Sequence, residues 1–129
     1  MISPPKAETK KLLLRAAEIL EGGWCRGNYA RHSSGAQIPI RLAQPGVDSF
    51  CLAGAIMKAV MEHEGHPDGM HSGSAGEHPL ARAAFIALNG AVSRHGSGIG
   101  TLTSWNDTVC PSAEVVVATV RRAADGLGD

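Results

Sequence analysis

The sequence has few aromatic residues, few cysteines and no long apolar run. Its 129 residues include only 2 Trp, 1 Tyr and 2 Phe, and its 3 cysteines are too few, and odd in number, for a disulfide framework. No stretch approaches the roughly 18 consecutive apolar residues of a membrane-spanning helix. Residues 1–11 lack the apolar core of a signal peptide. Together these absences predict a cytoplasmic protein with free thiols and no membrane partner.

The chain also lacks an excess of charge of either sign. Its 12 Lys and Arg balance its 12 Asp and Glu, whereas a general nucleic-acid binder needs a basic excess. We therefore expect no general nucleic-acid binding, although a local basic patch is compatible with this balance. A chain of 129 residues, 43% of them hydrophobic, is long enough to bury a core, and we expect one domain over residues 1–129.

Apolar residues recur with helical spacing in four segments. Gly22 and Gly23 are suited to end the first of them, and Asp48 or Ser49 to cap the second. The second segment is apolar on nearly all sides, which is typical of a buried central helix. The spacing predicts helices over residues 6–21, 49–63, 79–93 and 112–124.

The connections between these helices are long. Residues 24–47 are rich in Gly, Pro and Ser and predict an irregular segment, and residues 64–77 predict a flexible loop. Residues 36–42 could pair with residues 99–103 as one tiny sheet, in which Pro39 would restrict its strand to an edge. The sequence therefore predicts a mainly all-α fold, a small four-helix domain with at most one strand pair.

Cys51 is the first candidate for chemistry because it lies near the start of the second predicted helix. The positive end of a helix dipole can lower the pKa of a thiol and so create a nucleophile. Such a hydrolase or transferase would also need a histidine as base and an orienting group, for which Asn106 and Asp107 are candidates. Cysteine is also among the residues most often buried. A buried core thiol is the preferred interpretation, and we expect no catalytic residue.

Residues 63–78 contain four histidines, which raises the question of a metal site. His63 and His66 are spaced to face one ion if the helix continues, but the residues that follow are rich in Gly and match no standard zinc motif. The glycine-rich stretches 73–77 and 96–100 lack the preceding strand and the following Lys of a phosphate-binding loop. We therefore expect no metal and no cofactor.

Residues 103–107, TSWND, combine a large aromatic side chain with two turn-forming residues. Trp105 is expected to pack inward, while Asn106 and Asp107 fold their side chains back on the backbone. This corner clamp is the preferred interpretation. The alternative is that the three residues bind a ligand or partner.

Arginines and a tyrosine are concentrated in the irregular segment after the first predicted helix. Arg26, Arg31 and Arg41 accompany Tyr29 there, and Arg with Tyr can hold a nucleotide or another anion by stacking and bidentate hydrogen bonds. The same arginines can form ion pairs with acidic side chains such as Asp107. Because the chain is neutral overall, pairing is the preferred interpretation and nucleotide binding is the alternative.

Three blocks of the sequence, GGWCRGNYAR at 22–31, FCLAGAIMKAV at 50–60 and LTSWND at 102–107, resemble an uncharacterised family of small actinobacterial and phage proteins. Members of that family carry GWCxGxYAR, CxxGA and WND blocks. The resemblance implies no catalytic residue, because no activity is established for the family, and it implies variable connections at 64–77 and 94–100. The matching positions are Gly23, Trp24, Cys25, Gly27, Tyr29, Ala30, Arg31, Cys51, Gly54, Ala55, Trp105, Asn106 and Asp107.

The preferred functional hypothesis is a small non-enzymatic accessory or regulatory binding protein, encoded by a phage or mobile element. Its partner would be a host protein or a small ligand, by analogy with other small phage proteins. The candidate binding residues are Tyr29, Arg31, Arg41, Trp105, Asn106 and Asp107. The alternatives are a Cys51-dependent hydrolase or transferase and a nucleotide-binding module.

Overall fold

The computed structural model describes residues 5–26, 30–32, 47–65, 78–92 and 99–127. These residues are mainly α-helical, as the sequence predicts. Their elements in chain order are α1 (Lys6–Gly22), β1 (Ala30–His32), β2 (Val47–Phe50), α2 (Leu52–His63), α3 (Pro79–Val92), α4 (Ile99–Ser104), a π-helical turn (Trp105–Val109) and α5 (Ala113–Asp125).

α1 buries one face against α5 and α2. Leu13, Ala16 and Leu20 recur at i, i+3 and i+7, as a helix face requires, and are fully buried. At the side of this face, Arg15 donates two hydrogen bonds to the Glu62 carboxylate of α2, at 2.7 and 3.0 Å. A partly exposed pair contributes at most about 1 kcal/mol. The apolar face therefore supplies most of the free energy that holds α1 in place.

α2 is the central helix of the described fold. Its residues from Leu52 to Met61 are all buried apart from Lys58, and only the last turn, with Glu62 and His63, carries further polar side chains. This confirms the prediction from its nearly uniform apolarity. Burial on all sides means that the start of this helix is enclosed by other segments, and its first N–H groups need partners from the protein.

α3 and α5 cover the other sides of the core. Leu80 and Leu88 of α3 and Val116 and Val120 of α5 are buried in the same continuous hydrophobic cluster as α1 and α2. The N-cap of α5 is Ser112, whose hydroxyl accepts a hydrogen bond from the N–H of the third helical residue. The prediction of one domain over the whole chain stays a prediction.

The predicted strand pair is wrong in its location. Residues 99–103 lie in α4, where Leu102 is fully buried against the core, and residues 36–42 lie outside the described residues. Burial of Leu102 on a helix overrides the weak strand preference of its β-branched neighbours. The observed sheet is the antiparallel pair of β1 and β2, in which Ala30 pairs with Phe50.

Helix boundaries agree with prediction except at the start of α2. Asp48 and Ser49 lie in β2, and Cys51 is the N-cap instead. Residues 99–109 form α4 and the π-helical turn, so the described chain has five α-helices where four were predicted. Of the loop predicted over 64–77, residues 66–77 lie outside the described part, and its flexibility stays a prediction.

Candidate functional site

The three blocks singled out in the sequence meet at one buried side chain, Asn106. Its Oδ1 accepts hydrogen bonds from the Trp24 indole N–H at 2.7 Å and from the Leu52 backbone N–H at 3.0 Å. Its Nδ2 donates to the Cys25 carbonyl oxygen at 3.1 Å and to Asp107 Oδ1 at 2.9 Å. The side chain is 0% exposed. All four of its hydrogen-bonding positions are therefore satisfied within the protein.

The Asn106 carboxamide replaces one backbone hydrogen bond in a short parallel pairing. Phe50 N–H donates to the Gly23 carbonyl at 3.0 Å, and Cys25 N–H donates to the Phe50 carbonyl at 3.1 Å. The next bond of a parallel ladder would run from Leu52 N–H to the Cys25 carbonyl. Asn106 is inserted between these two groups and bonds to both. It thereby joins the segment after α1 to the start of α2.

The same carboxamide completes the cap of α2. Cys51 Sγ accepts a hydrogen bond from the Gly54 N–H at 3.3 Å, while the Leu52 N–H is accepted by Asn106 from a distant segment. Two of the N–H groups that a helix start leaves unpaired are thus satisfied. We name these three segments, joined by Asn106, the asparagine clamp.

A π-helical turn brings Asn106 into this position. Cys110 N–H donates to the Trp105 carbonyl at 2.9 Å, a bond that spans five residues and widens the helix by one residue. Asn106 therefore projects into the core on the same face as Leu102, one turn earlier, and both are fully buried. Such π-helical turns occur frequently at functional sites.

Beside the clamp, polar and aromatic groups reach the surface. Trp24 and Asp107 are partly exposed and Arg26 is exposed. The Arg26 guanidinium carbon lies 4.7 Å from the Trp24 ring centroid, in cation–π contact, and an Arg26 N–H donates to the Cys110 carbonyl oxygen. We call Trp24, Arg26 and Asp107 the Trp24 surface. Its three side chains are held by Asn106 or by the backbone next to it.

The structure places Cys51 in the core, as preferred from the sequence. Its side chain is 2% exposed, and burial raises the pKa of its thiol to about 12, against a smaller opposing effect of the Gly54 N–H. The direction is opposite to the lowering that a helix dipole alone would cause. At neutral pH this thiol is therefore protonated, which disfavours it as a nucleophile.

Cys25 and Cys110 are also buried, so none of the three thiols opens into a pocket with Asp107. Burial raises the pKa of the Cys110 thiol, although a backbone hydrogen bond from its own segment and the charge of Arg26 oppose this. Cys25 is 9% exposed and contributes its carbonyl to the asparagine clamp. In the part of the chain that is described, the cysteines serve packing and capping.

The structure describes only some of the predicted binding residues. Tyr29 and Arg41 lie outside the described residues, and Arg31 pairs through its backbone with Ser49 in the small sheet. Trp105 is partly buried against the core, as the corner-clamp interpretation expects.

The expected role of Asn106 in its own turn needs correction, because the side chain bonds mainly to segments 54 and 81 residues away in the sequence. An Asn four residues after an apolar Leu102 on one helix face was the signal for an inward position.

His78 is the histidine for which the structure shows local side-chain bonds among the described residues. His78 Nε2 lies 2.6 Å from Glu64 Oε1, and its Nδ1 accepts from the Leu80 N–H at 3.1 Å, which caps α3. Residues 5–26, 30–32, 47–65, 78–92 and 99–127 contain no group of three or more His, Cys, Asp or Glu side chains arranged to hold a metal ion. Within those same ranges, no helix combines the length and the apolarity needed to cross a membrane.

The fold and the clamp make this chain a small, mainly α-helical protein in which a buried asparagine on a π-helical turn joins the segment after α1 to the start of α2. The chain belongs to a family of unknown function, DUF6197, whose family model matches residues 4–126. Membership of an uncharacterised family is what the sequence blocks implied. No curated protein and no solved structure matches the chain.

Replacing Cys51 tests the helix cap. Cys51→Ser keeps an acceptor for the Gly54 N–H and should change the free energy of unfolding by less than about 1 kcal/mol. Cys51→Ala removes that acceptor and should cost about 1–2 kcal/mol relative to the serine variant. Urea unfolding at pH 7 measures both. Equal stability of the two variants would show that the Cys51 cap contributes nothing.

The raised pKa of Cys51 predicts a loss of stability in alkali. The thiol has its ordinary pKa of 9.0 in the unfolded chain and a pKa of about 12 in the folded protein, so between these values only the unfolded state releases the proton. Its contribution is complete below pH 9 and declines above it, by about 1.4 kcal/mol per pH unit. The difference in unfolding free energy between wild type and Cys51→Ser, measured under reduction, should therefore shift against wild type from about pH 8 to about pH 10. A constant difference would contradict burial of a neutral thiol.

Proposed function

We propose that this chain is a non-enzymatic binding module that contacts a partner protein through the Trp24 surface. The observation that carries the proposal is the asparagine clamp, which uses four hydrogen bonds of a buried side chain to fix the segments beneath Trp24, Arg26 and Asp107. A binding surface gains affinity when its side chains are held in place before the partner arrives, because less conformational entropy is lost.

The chemistry of the Trp24 surface supports a protein partner. Trp and Arg are the residues most enriched among those that dominate binding energy at protein interfaces. Here the Arg26 guanidinium lies over the Trp24 ring, and the Asp107 carboxylate accepts a hydrogen bond from Asn106 Nδ2. Val109, two residues after Asp107 in the same π-helical turn, is an apolar side chain that is 63% exposed. Such a mixture of aromatic, apolar and charged groups is typical of a standard interface.

The burial and the raised pKa of the candidate thiol support a binding function over a catalytic one. Cys51, the candidate nucleophile, is buried and its pKa is raised. The catalytic cysteine of a hydrolase or transferase that works at neutral pH instead needs a lowered pKa and access to substrate. We further propose, from the resemblance of the three blocks, that the protein is encoded by an actinobacterium or one of its phages and acts in the cytoplasm on a host factor.

The test compares Arg26→Ala with Arg82→Ala, which removes an exposed arginine on α3. Tagged wild-type chain is used to capture proteins from an actinobacterial lysate, and each captured protein is then purified and its Kd measured. Loss of an interfacial arginine should weaken a true partner by about 10-fold or more, whereas Arg82→Ala should leave the Kd unchanged. Equal Kd values for both variants, or no captured protein that binds after purification, would overturn the proposal. Circular dichroism confirms that both variants are folded.

A further inference from the structure

Cys25 and Cys51 occupy matching positions in the parallel pairing beneath the Trp24 surface. Phe50 N–H bonds to the Gly23 carbonyl and Cys25 N–H bonds to the Phe50 carbonyl, which pairs Trp24 with Phe50. The next matching pair along both segments is Cys25 with Cys51. Neighbouring strands lie about 4.8 Å apart, and matching residues of a parallel pair project to the same face.

This spacing suits a disulfide. The Cα atoms of bonded cysteines are usually about 4.4–6.8 Å apart, with both Cβ atoms on the same side. The pair lies between the closed hydrogen bond of Cys25 N–H to Phe50 and the position where Asn106 separates the segments. The separation of the two backbones is thus held from both sides by hydrogen bonds.

The two thiols also interact electrostatically. Burial is the main cause of the raised pKa of Cys51, and the charge of Cys25 raises it further. Cys110 belongs to a different environment, where its thiol donates to the Ser112 carbonyl at 3.3 Å and Arg26 lowers its pKa against the effect of burial. Of the three cysteines, all of which are described, the geometry therefore selects one pair.

We infer that Cys25 and Cys51 form a reversible modification site, which a small-molecule disulfide such as oxidised glutathione converts to an intramolecular disulfide. Neither cysteine is in a disulfide in the structure. The cross-link would join the residue after Trp24 to the cap of α2 and would close the chain segment from 25 to 51. It is independent of the proposed binding function, because it needs no partner.

The reaction proceeds in two exchanges. The Cys25 thiolate, at the more exposed of the two positions, attacks one sulfur of the oxidant; an S–S bond forms to Cys25, the oxidant's S–S bond breaks, and one thiol leaves with the proton that Cys25 lost. The Cys51 thiol then loses its proton and attacks the Cys25 sulfur of this mixed disulfide, and the second thiol leaves with that proton. Because burial keeps Cys51 protonated at neutral pH, this second exchange is the slow one, and its rate rises with pH. Two protein thiols are oxidised and one small disulfide is reduced to two thiols.

The experiment incubates the folded, full-length protein in glutathione buffers of increasing oxidised fraction, followed by acid quenching and alkylation. We expect two of the three cysteines to become protected, a mass lower by about 2 Da without bound glutathione, and a Cys25–Cys51 cross-linked peptide in a non-reducing digest. Closing this loop should raise the Tm by roughly 10 °C relative to the reduced protein.

Three serine variants make the assignment specific. Cys110→Ser should oxidise as wild type does, with the same rise in Tm, whereas Cys25→Ser and Cys51→Ser should form no intramolecular disulfide. The inference is overturned if the cross-linked peptide contains Cys110, if glutathione stays bound at Cys25 without exchange, or if the thiols react only at temperatures where the protein unfolds. Peptide mapping of wild type and Cys110→Ser decides the question even if the other two variants fail to fold.

Discussion

Asn106→Ala is expected to lower the free energy of unfolding by about 4–6 kcal/mol, the largest effect of any single substitution at the site. The side chain is fully buried and satisfies the Trp24 indole, the Leu52 N–H and the Cys25 carbonyl. Its removal leaves three groups unpaired, and each buried unpaired group costs about 1–3 kcal/mol. Because small domains are stable by only about 5–15 kcal/mol, this variant should be close to unfolded at about 37 °C.

Asn106→Asp keeps the shape of the side chain but changes its hydrogen bonds. The two acceptor bonds to Trp24 and Leu52 can persist, but a carboxylate cannot donate to the Cys25 carbonyl and it repels the neighbouring Asp107. Both effects disfavour the charged form, so this variant should gain stability relative to wild type as the pH falls and the new carboxyl group becomes protonated.

Urea unfolding of the two Asn106 variants between about pH 5 and pH 8 measures these effects. Thr108→Ala is the matched control, since Thr108 lies in the same π-helical turn, is exposed, and bonds only to the Ser104 carbonyl among the described contacts of its hydroxyl. It should cost less than about 1 kcal/mol. A cost for Asn106→Ala no larger than that of Thr108→Ala would mean that the clamp does not hold the fold together.

Leu20→Ala should lower the free energy of unfolding by about 2–5 kcal/mol. Leu20 is fully buried in the last turns of α1, in the cluster that α1 shares with α2 and α5. The truncation removes apolar contacts and leaves a cavity that helices packed on several sides cannot close by a small movement. Because the Gly23 N–H bonds to the Leu20 carbonyl and Trp24 follows Gly23, the loss of the Leu20 side chain should also lower the hydrogen-exchange protection of the Leu52 N–H in the asparagine clamp.

Leu14→Ala provides the control for Leu20→Ala, since it makes the same change in the same helix at a side chain that is 39% exposed. It should cost less than about 1 kcal/mol, because part of that surface is already in water. Thermal and urea unfolding give the stabilities, and hydrogen exchange of the Leu52 N–H reports on the clamp. Similar costs for the two leucines would show that α1 is not packed as described.

Much of the fold could be predicted from local patterns. The spacing of apolar residues predicted α1, α2, α3 and α5 with small errors at the ends, because a buried helix face repeats every three to four residues. Turn chemistry placed the end of α1 at its glycines. The cap of α2 was misplaced because Asp48 and Ser49 are good caps in isolation, yet both lie in β2, where Ser49 pairs with Arg31 and Asp48 stands at the register shift.

The candidate site could be predicted only as a set of sequence blocks. Trp, Cys, Asn and Asp in three short segments indicated that these segments contribute to one site. The bond from Asn106 to Leu52 joins residues 54 positions apart, and no local pattern encodes a contact over such a sequence separation. The same limit applies to Cys51. A helix dipole concerns one helix, whereas the pKa of this thiol depends on every segment that excludes water from it.

By itself, therefore, the sequence determined the helical class, the central position of α2 and the presence of three unusual blocks, since periodicity and composition act over one or two helical turns. Only the tertiary structure decided that an asparagine joins those blocks, that Cys51 caps a helix with a buried thiol, and that Cys25 lies opposite it. The physical reason is that hydrogen bonds and desolvation act between groups that meet in space, and the chain brings them together only when its core is packed.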